Sequence, residues 1–217
     1  MRSRPRVAGL LLAAGAGRRL GGRPKALLRH RGRSLAEHAA ANLADGGCDT
    51  VHIVLGASAA EIPTPGGCHR VVNPDWSDGM GSSLRAGLAA LPEDAEAVVV
   101  LLVDQPGITP AAVARVIAAH REGAELAVAA YEGATGHPVL FTRAHFPGVA
   151  RLAVGDAGAR GHLRAHADRV VRVPCHDVAY PADVDTPADL RLLIGGGPAA
   201  PTGSWCGRVS LSADSTP

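Results

Sequence analysis

Residues 10–28 read LLLAAGAGRRLGGRPKALL. An apolar run empties into small residues, then into Arg18, Arg19 and Arg23, and then into Lys25. The stretch is either a secretory leader or a buried strand opening into a ligand-binding turn, and the fold follows from the choice. The basic start MRSRPR and the apolar run at 7–16 fit a leader. Two features oppose it. Cys48, Cys68, Cys175 and Cys206 lie too far apart for the tight framework of a small secreted domain. Residues 7–12 also form the first strand of a repeating β/α pattern, which cleavage after Ala16 would remove. No other apolar run approaches membrane-spanning length, so the chain reads as soluble and cytoplasmic.

Outward from this stretch the pattern repeats. Ser34 and Glu37 have capping-box spacing and start a helix that runs to Gly46–Gly47. Strands follow at 51–55 and 70–72, and Ser82 is placed to cap a helix through about Ala90. Residues 97–103, AVVVLLV, are apolar on both faces, as a central strand of a parallel sheet requires. Thr109 caps a helix with Pro110 at its first position. Strands at 126–130 and 170–173 flank the segment GHPVLF and a helix near 162–167, and Thr186–Pro187 opens a last short helix. This alternation predicts a three-layer α/β/α, Rossmann-like, mostly parallel sheet. It predicts a single domain over 1–194, with 195–217, rich in Gly, Pro and polar residues, as a flexible tail.

Of the 217 residues 47% are hydrophobic but only 3% aromatic, so the core is built from Ala, Val and Leu. A net charge of +2 is too small to argue for nucleic acid or a membrane surface. The arginine cluster is local and points to a local anionic ligand. Lys25 is the only lysine in the chain. In so arginine-rich a background, a lysine there suits a site that needs a compact ammonium on a flexible stem, as phosphate-binding lysines provide.

Two familiar phosphate loops fail at this position. A dinucleotide fingerprint needs a third glycine where Leu20 stands, and an acid at the end of the second strand, which here ends in Gly56-Ala57-Ser58. A P-loop needs Gly-Lys-Ser/Thr, whereas Lys25 follows Pro24.

Residues 13–25, AAGAGRRLGGRPK, instead resemble the loop A-A/G-G-x-G/S-x-R-M/L-G-x-x-K of the molybdopterin-type nucleotidyltransferases, the MobA-like NTP transferase superfamily. Arg19 and Lys25 stand one residue further apart than in many members, so either Gly21 or Gly22 occupies the motif glycine. The resemblance extends through NPDWSDGMGSSLRAGL at 73–88, LVDQP at 102–106, GHPV at 136–139, GDAGAR at 155–160 and DVDTPADL at 183–190. It covers roughly residues 7–192.

The resemblance implies a fold of the nucleotide-diphosphosugar-transferase type, with an NTP-binding N-terminal half and an acceptor-binding C-terminal half. Leu12, Ala13, Ala14, Gly15, Ala16, Gly17 and Arg18 would cradle the triphosphate, since glycines let backbone N–H groups approach its oxygens. Arg19, Lys25 and Asp104 would be catalytic, and Asp104 with Asp185 would hold Mg²⁺. Asp185 reads equally as an acid at a helix N-terminus, and Ser83 as a nucleotide contact or a plain helix serine. Gly79 and Gly81 would allow close approach to the nucleotide. His137, Asp156 and Arg160 would face the acceptor, His137 alternatively being a buried structural histidine. Trp76 is a lid or an anchor.

The A13-A14-G15 start, with the DQP, GHPV and GDAGAR segments, is similar to the molybdenum cofactor cytidylyltransferases. The resemblance therefore implies CTP and molybdopterin as substrates, and a molybdenum hydroxylase apoenzyme as recipient of the product. The same superfamily also contains members that use GTP, or a sugar or polyol phosphate acceptor. Actinobacterial relatives are described as NAD(P)H-dependent oxidoreductases of pigments such as nicotine blue, and a non-catalytic nucleotide-binding role would keep the same fold. His162 and His166 lie i, i+4 on a predicted helix. Without the acid of an HExxH pattern or a flanking cysteine they read as a solvated helix face.

Overall fold

A computed structural model describes residues 6–194. The expected tail at 195–217 and Cys206 lie outside the described residues. In chain order the elements are β1 (Val7–Ala13), the two-residue strands β2 (Arg29–His30) and β3 (Arg33–Ser34), α1 (Leu35–Asp45), β4 (Thr50–Leu55), β5 (Cys68–Val72) and α2 (Met80–Ala89). They continue with β6 (Ala97–Leu102), α3 (Pro110–Arg121), β7 (Leu126–Tyr131), β8 (Ala134–Thr142), α4 (Phe146–Leu152), α5 (Arg160–Ala165), β9 (Val170–Pro174) and α6 (Arg191–Ile194). Seven strands form the main sheet in the order β5-β4-β1-β6-β8-β7-β9. The β1, β4, β5 and β6 pairings are parallel, as is β7 with β9, while β8 runs antiparallel to both β6 and β7.

The central strands show why the sheet is buried on both sides. In β1, Val7, Leu11 and Ala13 pack with α1 and α3, while Ala8, Leu10 and Leu12 face the layer of α2 and α4. In β6, Ala97, Val99 and Leu101 take the first face, and Val98 and Val100 the second. A period of two with apolar residues at every position makes a strand that belongs between two helical layers.

Caps fix the helix starts. Glu37 N–H donates to Ser34 Oγ at 3.2 Å and Ser34 N–H donates to Glu37 Oε2 at 2.7 Å, closing the expected capping box. Thr109 caps α3, accepting from Ala112 N–H at 3.4 Å. Thr186 and Asp189 form a second capping box before a short 3₁₀ turn.

One boundary differs from the sequence reading. Helix α2 begins at Met80, so Ser82 lies inside its first turn and is buried. Its hydroxyl donates back to the Gly79 carbonyl at 2.8 Å and lies 2.7 Å from the Asp75 carbonyl. The chain turns into the helix at Gly79, whose φ of 97° suits a residue without a Cβ.

Phe141 in β8 is fully buried and meets Phe146 edge-on, with centroids 6.1 Å apart. Truncating it leaves a cavity that this rigid interface cannot fill. Phe141→Ala is expected to lower stability by about 3–5 kcal/mol in urea denaturation, with unchanged slope.

Candidate active site

Strand order reverses between β1 and β6: from β1 the chain builds outward through β4 to β5, and from β6 the other way. Ligands of open α/β sheets bind outside the carboxyl ends of strands at such a point. A cleft of about 480 Å³ lies there. Leu12, Ala14, Gly15, Ala16, Gly17, Arg18, Arg19 and Lys25 line one wall, and Leu102, Val103, Asp104 and Asp185 the floor. The segment from Trp76 to Met80, with Ser83, Gly155 and Asp156, lines the other side.

The loop after β1 holds its shape through Gly17. Its φ is +61°, its carbonyl accepts from Leu20 and Gly22 N–H at 2.8 and 3.1 Å, and an added Cβ would stand 1.9 Å from the Arg23 carbonyl oxygen. A side chain is excluded twice over, by backbone conformation and by contact.

Charge converges at the floor. Lys25 Nζ donates to Asp104 Oδ2 at 2.7 Å and also to Asp185 Oδ1, and Arg19 Nη1 donates to the other Asp185 oxygen at 2.9 Å. Val184 N–H donates to the Asp104 carbonyl at 2.8 Å, which pins the segment bearing Asp185 against the end of β6. Burial alone would lower the Lys25 pKa, but the carboxylates of Asp104 and Asp185 outweigh it and raise the pKa above its usual value. Asp104 Oδ1 is buried with no hydrogen-bond partner among the described residues. An orphaned carboxylate oxygen beside a second carboxylate is a hard-oxygen donor set, and it fits a divalent cation such as Mg²⁺.

Sequence reasoning singled out neither Asp183 nor Gln105. Gln105 Nε2 donates to Asp183 Oδ1 at 2.8 Å. Desolvation and the neighbouring charges of Asp104 and Asp185 push the Asp183 carboxyl up to about 6. A signal was present: acids two apart in an extended segment share a face, so Asp185 brings Asp183 with it.

The residues expected from the sequence to face an acceptor are less tightly grouped. Asp156 is exposed on the cleft wall, and its Oδ1 accepts from Met80 N–H at 3.3 Å, at the start of α2. Arg160 donates to the Asp156 carbonyl at 2.7 Å. His137 is half-buried, and desolvation with the nearby Arg160 charge pushes its pKa down to about 4. Neither His137 nor Arg160 lines the cleft, and the Ala13 side chain joins the core. Ser83 lies at the cleft, where Asn73 Nδ2 donates to its hydroxyl at 3.1 Å. Trp76 packs over Gly56 and lines the cleft. The space at Gly79 and Gly81 is taken by the chain itself, since a Cβ at either would strike the backbone of residues 153–155 within 2.6 Å.

Residues 9–170 match the model of the MobA-like NTP transferase domain. The chain belongs to that family. It is 44% identical over 205 residues to the nicotine blue oxidoreductase of Paenarthrobacter nicotinovorans, covering 88% of this chain and 97% of that protein. Among solved structures it is similar to Rv0371c from Mycobacterium tuberculosis H37Rv, with TM-score 0.79 and 32% identity over 89% of this chain and 100% of that one. A manganese complex of Rv0371c aligns with TM-score 0.73 and 30% identity, over 88% of this chain and 99% of that one.

The MobA-like assignment accounts for the fold: a mostly parallel sheet with the glycine loop after its first strand. Among the described residues, no helix is long and apolar enough to cross a membrane. One reading from sequence is overturned. His162 is 3% exposed, packed against His145 and His166, and so does not lie on a solvated helix face. Helical spacing identified the pair, but the burial comes from α4, which local periodicity cannot report.

Two outcomes are expected. Gly17→Ala distorts the loop, and any ligand stabilisation measured by thermal shift should fall at least tenfold in apparent affinity while the sheet stays folded. His137 is neutral in the folded protein down to about pH 4 but takes up a proton near 6.5 when unfolded. Its contribution to stability is therefore complete above pH 6.5 and is lost as pH falls toward 4. His137→Gln should flatten that part of a melting-temperature profile.

Proposed function

We propose that this protein is a divalent-metal-dependent nucleotidyltransferase that moves CMP from CTP to the molybdopterin-bound molybdenum cofactor and releases pyrophosphate. The observation that carries this reading is the set Lys25, Asp104 and Asp185 at the mouth of a glycine loop, with the buried Asp104 Oδ1 left without a partner among the described residues. An acceptor phosphate oxygen attacks the α-phosphorus of CTP, the bond from that phosphorus to the bridging β-oxygen breaks, and pyrophosphate leaves. Such transfers depend on positioning and charge neutralisation rather than on a covalent protein nucleophile.

The backbone from Leu12 to Arg18 cradles the triphosphate, and Arg19 offers it a planar fork. Lys25, on its flexible stem, exchanges carboxylates for phosphate oxygens and meets charge building at the reacting phosphorus. Asp104 and Asp185 would hold Mg²⁺, which when bound neutralises phosphate charge. Ser83 would lie beside the nucleotide, and Asp156 would meet the acceptor from the cleft wall, with Arg160, which donates to its carbonyl, and His137 acting from outside the cleft lining. The choice of CTP rests on the A13-A14-G15 start and its resemblance to the cytidylyltransferases. A GTP-using enzyme, or one with a sugar or polyol phosphate acceptor, would use the same charge set with a different base pocket or acceptor half. A molybdenum hydroxylase apoenzyme would receive the product.

A second reading is favoured by the 44% identity to nicotine blue oxidoreductase across nearly its whole length. The cleft would then hold NAD(P)H or a flavin against an N-heterocyclic pigment, and hydride transfer would not need the Lys25–Asp104 pair. A thermal-shift panel separates the two, because a ligand that binds only the folded state raises the melting temperature. The panel compares CTP, GTP, ATP and UTP, each with and without Mg²⁺, beside NADH, NADPH and FMN. A Mg²⁺-dependent shift with CTP is expected. Lys25→Ala and Asp104→Ala should each lower turnover at least 10²–10³-fold, roughly the loss seen when one transition-state donor is removed. Silence toward every triphosphate with a shift by NADPH or FMN would overturn the transferase reading.

A further inference from the structure

At the opposite end of the sheet from the cleft, His145, His162 and His166 bring three imidazoles together. Glu125 precedes β7 and His145 follows β8, which runs antiparallel, so both stand at the amino-terminal edge of the parallel strands. Helix α5 descends to the same edge and delivers His162 and His166. One nitrogen from each ring lies within 4.8 Å of the other two. His145 and His162 are 7% and 3% exposed, and His166 is half-buried.

The hydrogen bonds around the rings set where the lone pairs point. His145 Nε2 meets Glu125 Oε2 at 3.3 Å, and that carboxylate is also held by Arg169. His166 Nδ1 lies 2.9 Å from the His162 carbonyl oxygen. A carbonyl or carboxylate can only accept, so each of these nitrogens carries the proton. This leaves lone pairs on His145 Nδ1 and His166 Nε2. His145 Nδ1 stands 2.9 Å from His162 Nε2. A neutral His162 carries one N–H: on Nε2 it would meet His145 Nδ1, and on Nδ1 it would leave two lone pairs facing each other across that 2.9 Å. His162 Nδ1 is also buried without a partner among the described residues. One cation would use a lone pair from each ring.

We propose that His145, His162 and His166 form a second metal site, for one ion of the Zn²⁺ class, separate from the carboxylates of the cleft. Three neutral imidazoles suit a borderline metal rather than Mg²⁺. Zn–N bonds of 2.0–2.1 Å place tetrahedral nitrogens roughly 3.3 Å apart, which small ring rotations reach from the present arrangement. The Glu125–His145 contact and the His166–carbonyl contact are the outer partners that orient metal-bound histidines. Water completes the fourth position. The ion would join the start of α4 to the end of α5. The turn between those helices carries Gly155 and Asp156 to the cleft, so the site would set the position of that wall.

The test is a Co²⁺ titration of tag-free full-length protein, followed by visible ligand-field spectra and calorimetry, with Zn²⁺ competition. In the Asp104→Asn background, which weakens the cleft's oxygen site, one equivalent of Co²⁺ should still bind with tetrahedral bands that Zn²⁺ abolishes, and Zn²⁺ should raise the melting temperature. His166→Gln, at a half-buried position that should fold, is expected to lose the bands and weaken binding at least tenfold; His145→Asn gives an independent check, with circular dichroism reporting the fold. Unchanged stoichiometry and spectra in folded His166→Gln protein would overturn the proposal. So would wild-type protein that shows no tetrahedral Co²⁺ spectrum.

Discussion

The ammonium of Lys25 stands between two carboxylates from distant parts of the chain. Asp104 lies two residues beyond the central strand β6, and Asp185 arrives 160 residues after Lys25. Asp183 adds a third acid to the same neighbourhood. Without a cation these groups would repel one another in a partly desolvated floor. Lys25 therefore ties the glycine loop, the sheet and the C-terminal segment together at one atom. Such a pair is costly to break from one side, because the partner left behind is a partly buried charge.

The sheet decides where that convergence occurs. Parallel strands leave their carboxyl ends on one edge, and the reversal of strand order between β1 and β6 opens a gap there that no crossover helix covers. Strand β8 matters for a different reason. By running antiparallel beside β6 it returns the chain to the far edge, so the α4–α5 pair spans the full height of the sheet. One end of that pair meets the cleft and the other holds the histidines.

Much of this was legible in the sequence. The unbroken apolar runs at 7–12 and 97–103 announced central strands, and Ser34 with Glu37 announced α1, because both signals are local. Lys25 and Asp104 could be selected because each is chemically out of place: a lone lysine among arginines, and an acid closing an apolar strand. What stayed hidden was non-local. Ser82 looked like a cap because its hydroxyl is suited to one, yet the turn is made by Gly79. Gly79 and Gly81 make room for residues 153–155, a contact between segments some seventy residues apart. His145 lies 17 residues before His162, and only the packing of α4 on α5 joins them.

The chain's single lysine has a chemical corollary. Amine-selective acylating reagents meet one side-chain target here, and its nitrogen is shielded between Asp104 and Asp185, with 16% of the side chain exposed. Once label on the α-amino group is set apart by peptide mapping, the rate at which the Lys25 amine is labelled reads the electrostatic state of the cleft floor, with no background from surface lysines. Among its side chains the molecule carries one native amine probe, at the centre of its own charge network.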